Sequence, residues 1–169
     1  TTLPMAVIFF TFQRYFVERQ CAPKVQAVRF EGATAAQPAP GVIAAIMNCD
    51  AVFIAPSNPW LSVDPLLSLP AIRAALESTA APVVAVSPLI EGTAVKGPTA
   101  KLMEELGLDV TNATIAAHYG NWIDGLIVHG EDDAPDGLAV ARTDTLMKSS
   151  EDRERVARAA RALAAQLTR

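Results

Sequence analysis

Apolar and polar positions alternate along the chain in blocks. AVFIA at 51–55 and VVAV at 83–86 are unbroken apolar runs of strand length, the pattern of strands buried on both faces. LIVH at 126–129 predicts a third such strand, and LAVA at 138–141 a short antiparallel return. Between the runs lie helical stretches. A short helix over 42–47 follows the Pro40–Gly41 turn, and Pro70 sits at the first turn of a helix continuing over 71–77. Pro98 opens a helix that runs through Leu106 and stops at Gly107, and another spans 113–119. Ser149 with Asp152 three positions on is a capping-box pattern. It opens a last helix to about Gln166, with Val156, Ala159, Ala160 and Leu163 on one face. Upstream, 5–12 and 15–17 are rich in β-branched and aromatic residues and predict one interrupted strand or two short ones. The alternation at 25–30 predicts a further strand, and 31–40 a loop rich in Gly, Ala and Pro. Residues 56–65 are too rich in proline to be regular, and 87–97 read as a long loop.

The order β-α-β-α-β-α-β with a terminal helix predicts an α/β fold. It is a Rossmann-like, mostly parallel sheet with helices on both faces, in one domain over 1–169. Composition agrees, with 51% hydrophobic and only 6% aromatic residues, which suits a buried sheet and argues against disorder. A net charge of -4 disfavours nonspecific nucleic-acid binding, so no nucleic-acid partner is expected. No apolar run reaches the roughly 18 residues of a membrane span. The apolar stretch 6–10 is short and followed by Gln13 and Arg14, so it reads as a strand or an expression remnant rather than a signal peptide. Cys21 and Cys49 lack metal-like spacing, which fits a reducing, cytoplasmic setting. A chain that starts at Thr1 reads as a processed or truncated piece.

In an open parallel sheet, ligands bind beyond the carboxyl ends of the strands. The strand at 51–55 runs into PSNP and the strand at 83–86 into SP, so Ser57, Asn58 and Ser87 reach that rim. Two hydroxyls, an amide and free turn N–H groups suit phosphate or another anion. The same residue types also build ordinary turns for local reasons. The stretch SPLIEGTAVKGPT at 87–99 adds Gly92 and Gly97 for close backbone approach, Lys96 as a point charge, and the Pro98–Thr99 helix start. Lys96 precedes Gly97, so this is not a Walker A loop, and no G-x-G-x-x-G occurs. Trp60 either stacks on a planar ring or covers a core edge, and Asp64 alone is weak evidence for metal. His118 suits capping or packing at a helix end, while His129 closes a strand within reach of the rim. Asp132, Asp133 and Asp136 are expected to form a solvated acidic turn, and Cys49 is expected to be buried.

Blocks in fixed order carry a resemblance. FQRYFVER, VRFEGA, PAPGVIAAI, APSNPWLSVDPLLSLPAIRAAL, APVVAVSPLIEGTAVKGPTAKLM and TDTLM together closely resemble the 2-phospho-L-lactate transferase family of coenzyme F420 biosynthesis. Members of that family are roughly twice as long, and their first half carries a glycine-rich nucleotide loop together with an acidic residue and an arginine. The chain thus resembles the C-terminal half. Glu91 stands where the family usually has Gly, and His129 where an Asp is common.

The resemblance implies a transfer reaction. A GDP-linked three-carbon acid, phospholactate or phosphoenolpyruvate, is the donor. The terminal hydroxyl of the deazaflavin Fo attacks the phosphorus attached to that acid, and GMP leaves. The resemblance also implies Mg²⁺ to neutralise the diphosphate, and a homodimer. Ser57, Asn58 and Ser87 would orient phosphate oxygens, with Lys96 and the turn formed by Gly97, Pro98 and Thr99 balancing charge. No catalytic residue or metal ligand is assigned. Two other readings stand beside it. One is a non-catalytic, nucleotide-sugar-binding regulator of the same fold. The other is a structural piece whose apolar face or strand edge needs covering by another half or a second copy.

Overall fold

Prolines and glycines set where each element begins. The computed structural model describes residue 22, residues 24–94 and residues 98–167. Gly41, at φ 87, takes the left-handed conformation that turns the chain into helix α1, Val42–Asn48. Strand β1, Val52–Ile54, follows. A π-helical turn, Pro59–Val63, then runs directly into α2, Asp64–Leu67, and α3, Pro70–Ser78. Strand β2, Val83–Val86, is buried along its length. Next come the two-residue strands β3, Leu89–Ile90, and β4, Thr93–Ala94, paired antiparallel. Helices α4, Thr99–Glu105, and α5, Asn112–Tyr119, precede β5, Gly125–His129, and β6, Ala139–Thr143. Helix α6, Ser150–Gln166, closes the described chain.

The main sheet has the order β1-β2-β5-β6, and all its pairs are parallel. Strand parity divides the core. Val83, Ala85, Leu126 and Val128 face one side, with Trp60, Ile72, Leu76, Leu102, Met103, Ile115 and Tyr119 packed over them. Val84, Val86 and Ile127 face the other, against Val156, Ala160, Leu163 and Ala164 of α6. The sheet is thus covered by helices on both faces, as expected from the fully apolar strand runs. Phe53, of the opposite parity to Val52 and Ile54 on the edge strand β1, remains 46% exposed. On the α6 side Gly125 is required by contact: a Cβ there would lie 2.8 Å from Leu163 Cδ2.

The capping box of α6 is present in full. Ser149 Oγ accepts from the Asp152 N–H, and the Asp152 carboxylate accepts from the Ser149 and Lys148 N–H groups. These backbone donors, with Arg155 beside them, hold the Asp152 carboxyl far below the usual carboxylate range.

Four expectations are corrected. Residues 56–65 are largely helical, because Pro59, Pro65 and Pro70 each fall at the start of a helical segment, where a missing N–H costs nothing. The 87–97 stretch contains the β3–β4 hairpin. Residues 25–30 form no strand: the Val25 N–H donates to the Glu105 carboxylate at 2.9 Å instead of to a ladder. Finally, β6 runs parallel to β5, not antiparallel, although no helix separates them. The crossover 130–138 is held instead by side chains. Arg142 Nη1 donates to the Gly130 and Asp132 carbonyls, and Leu138 packs into the larger core. The strands expected at 5–12 and 15–17, and Cys21, lie outside the described residues. Cys49 is part-buried, its Sγ against the Ile46 carbonyl.

Candidate functional site

Because all four strands point the same way, their carboxyl ends form one rim. Register puts the residues after Ile54, Val86 and His129 side by side along it. Ser57, Asn58 and Ser87 therefore share this rim, and the sequence did not foresee how differently they are bonded.

Asn58 sits in extended conformation as the cap of the π-helical turn. Its Oδ1 accepts from the Leu61 N–H at 3.0 Å. That bond fixes the amide, since a flip would set NH₂ against N–H. The other end of the amide, Nδ2, is then a buried donor with no acceptor, the single such side-chain atom among the described residues. An unpaired buried donor costs about 1–3 kcal/mol, so a group in this state calls for a partner. Ser57 is part-buried and bonds no described residue.

Ser87 is 1% exposed and fully committed. Its N–H donates to the Ile127 carbonyl, its Oγ accepts from the Leu89 N–H, and its hydroxyl proton goes to Asn112 Oδ1. Asn112, wholly buried, passes the chain on: its Nδ2 donates to the Asp133 carbonyl at 3.0 Å, and its N–H to Asp133 Oδ1 at 3.2 Å. Asp133 Oδ2 accepts from the Ala113 N–H, so one carboxylate holds the first N–H groups of α5, where negative charge is favoured. Thr111 caps the same helix through the Thr114 N–H. One residue away, the Asp132 carboxylate accepts from the Glu91 N–H at 3.0 and 3.1 Å and so ties the β3–β4 hairpin to the crossover. Within the acidic turn Asp132 and Asp133 therefore serve as a tie and a cap, while Glu131 and Asp136 are exposed. Asn112 was missed in the sequence. Its one signal was its place just after Thr111, a cap residue, where a buried polar side chain must find partners.

Thr99 is the first residue of α4 and 2% exposed. Lys96 and Gly97 lie outside the described residues. Trp60 covers the core: it is 7% exposed and packs against His118 with ring centroids 4.6 Å apart and the planes tilted by 43°. His118 Nε2 lies 2.8 Å from Asp64 Oδ1, so both packing and a carboxylate partner hold that ring. Tyr119 meets Trp122 edge-on, and burial, then the Asp64 charge, push its hydroxyl above its ordinary range. His129 ends β5, its Nδ1 toward Thr145. Among the described residues no three His, Cys, Asp or Glu side chains gather as a metal-binding group. Nor is any described helix long and apolar enough to cross a membrane.

A parallel sheet covered on both faces, with a proline-flanked polar rim at its carboxyl end, defines a Rossmann-like α/β protein. Residues 9–168 match the family described as 2-phospho-L-lactate transferase CofD, and the chain belongs to that family. It is 41% identical over 152 residues to the 2-phospho-L-lactate transferase of Methanopyrus kandleri, covering 87% of this chain and 48% of that one. It is 37% identical over 163 residues to the phosphoenolpyruvate transferase of Kitasatospora aureofaciens, covering 92% and 51%. A third relative, the 2-phospho-L-lactate transferase of Haloarcula marismortui, is 41% identical over 148 residues, covering 88% and 43%. The chain spans about half the length of the curated relatives it matches.

Proposed function

We propose that this chain forms part of a transferase that moves a phospho-three-carbon-acid group from a GDP-linked donor to the deazaflavin Fo, releasing GMP, in coenzyme F420 biosynthesis. The observation that carries the reading is the buried, unpartnered Nδ2 of Asn58 on the rim, in a chain of this family. A phosphate oxygen is an acceptor with lone pairs to spare, and it satisfies this donor. Relatives named for phospholactate and for phosphoenolpyruvate both align with the chain, so the donor is a phosphorylated three-carbon acid of either kind.

In the proposed step the Fo hydroxyl oxygen forms a bond to the phosphorus bearing the acid. The bond from that phosphorus to the bridging oxygen breaks, GMP departs with the electron pair, and the proton of the Fo hydroxyl passes to solvent. Such phosphoryl transfer asks the protein mainly for positioning and charge stabilisation. Asn58 and Ser57 orient phosphate oxygens, and Lys96, Gly97 and Thr99 supply the balancing charge and turn. Ser87, whose proton is taken by Asn112, holds the start of the β3–β4 hairpin through the Leu89 N–H. Among the described residues no three His, Cys, Asp or Glu side chains form a ready-made metal cage, and no step here runs through Mg²⁺. Magnesium enters the proposal only as a counterion of the diphosphate, and the homodimer only as the form in which the intact protein works.

The test is product formation. Full-length protein given Fo, Mg²⁺ and the GDP-linked donor should yield an F420-type product and GMP, detected by mass spectrometry. Turnover of neither phospholactyl nor phosphoenolpyruvyl donor sinks the reading. Repeating the assay with magnesium chelated tests the counterion role, and sedimentation of the active protein tests the dimer.

A further inference from the structure

His129 stands at the carboxyl tip of β5, paired in register with Thr143 of β6 and on the rim that carries Ser87. Its Nδ1 lies 3.0 Å from the Thr145 backbone nitrogen. A backbone N–H can only donate, so Nδ1 holds a lone pair there and the ring proton of the neutral imidazole belongs on Nε2. The Thr145 hydroxyl, 3.2 Å from the same Nδ1, adds to that side. The Asp144 carboxylate is also near, at 3.5 Å, but it is otherwise engaged: Oδ1 accepts from the Leu146 N–H and Oδ2 pairs with Arg155. Thr145 is 4% exposed, so the N–H that fixes the tautomer is itself held in place. Nε2 makes no hydrogen bond among the described residues, and the side chain keeps 18% of its exposure.

We propose that His129 is a ligand-positioning residue, a neutral imidazole whose Nε2–H donates to an oxyanion oxygen of the phosphorylated ligand. This rests on the reading of the rim as the phosphate site. It adds a second side-chain donor to Asn58, two strands away in the order β1-β2-β5-β6.

The chain has two histidines, so a His118→Gln variant leaves His129 alone in the imidazole region of a ¹⁵N-histidine NMR spectrum. Nδ1 should show the shift of an unprotonated ring nitrogen and Nε2 that of a protonated one. The reverse assignment overturns the proposal. Two replacements then separate the ring's two roles. His129→Asn keeps an acceptor near Nδ1 for the Thr145 N–H but removes the Nε2 donor. His129→Gln keeps an N–H near Nε2 but removes the Nδ1 acceptor. With GDP and with phosphoenolpyruvate as separate calorimetric probes, His129→Asn should bind one of them about tenfold more weakly at an unchanged melting temperature. His129→Gln should stay within about twofold of native. The probe that responds tells whether the oxyanion comes from the nucleotide or from the three-carbon acid. Equal affinity of native and His129→Asn for both probes overturns the proposal and leaves the transferase reading untouched. Failure of the native chain to bind either probe also overturns it, and product formation by the full-length protein then decides the transferase reading separately.

Discussion

The turns after β1 and β2 look alike in sequence, each an apolar strand ending in proline and a small polar residue, but they are opposites in structure. After β2, every side-chain polar atom of Ser87 and Asn112 is bonded, and the network reaches Asp133 and the start of α5. After β1, Asn58 spends one end of its amide on Leu61 and leaves the other without an acceptor. The difference teaches that a rim needs two kinds of polar residue. One kind is consumed in holding the strand ends and hairpin still, and the other is held still so that it remains available. Sharing a rim does not tell which kind a residue is; the completeness of its hydrogen bonding does.

The comparison breaks first at Asn112. Its side chain is fully buried and joins three elements, so Asn112→Ala leaves the Ser87 hydroxyl and the Asp133 carbonyl short of a partner and takes one donor from the Asp133 carboxylate. A loss of about 3 kcal/mol is expected in urea unfolding. A loss below about 1 kcal/mol means the β2 side is not the scaffold described here. Asn58→Ser sharpens the same contrast from the other side. Serine still caps the Leu61 N–H but removes the unpaired donor. Stability without ligand should hold or rise, by up to about 1–3 kcal/mol as the unpaired donor is removed, while GDP affinity, read by calorimetry, should fall about tenfold. Marked destabilisation with unchanged affinity would make Asn58 a second scaffold residue and remove the contrast.

Much of the fold was legible because its causes are local. Buried parallel strands must be apolar on both faces, and VVAV at 83–86 is. The Ser149–Asp152 box and the glycine after α4 are read within a few residues, and both appear, Gly107 at φ 74. The direction of β6 was not legible. A crossover with no helix reads as a hairpin until Arg142 is seen bracing it to the Gly130 and Asp132 carbonyls, a tertiary tie with no local mark. The rim was legible as a place, since strand ends and turn residues define it. The division of labour within it was not, because Ser87 is satisfied by a residue 25 positions away and Asn112 by one 21 positions on. The helical run from Pro59 was hidden by counting prolines instead of asking where in a turn each one falls.

The smallest effect lies in the hairpin between the two regions. Glu91 at φ 52 and Gly92 at φ 69 are both left-handed, the conformation of a two-residue hairpin turn. For glycine this is free, but for glutamate the Cβ crowds the backbone, at a cost of about 1–2 kcal/mol. The Asp132 carboxylate offsets part of that by accepting the Glu91 N–H. Asparagine tolerates this conformation better and keeps the N–H, so Glu91→Asn should raise stability by about 0.5–1 kcal/mol in urea unfolding. Because the strain then no longer depends on the tie, Asp132→Ala should destabilise the Glu91→Asn background by less than it destabilises the native one. Equal penalties in the two backgrounds would show that Asp132 steadies the crossover alone. The strained turn would then owe nothing to the scaffold side of the rim.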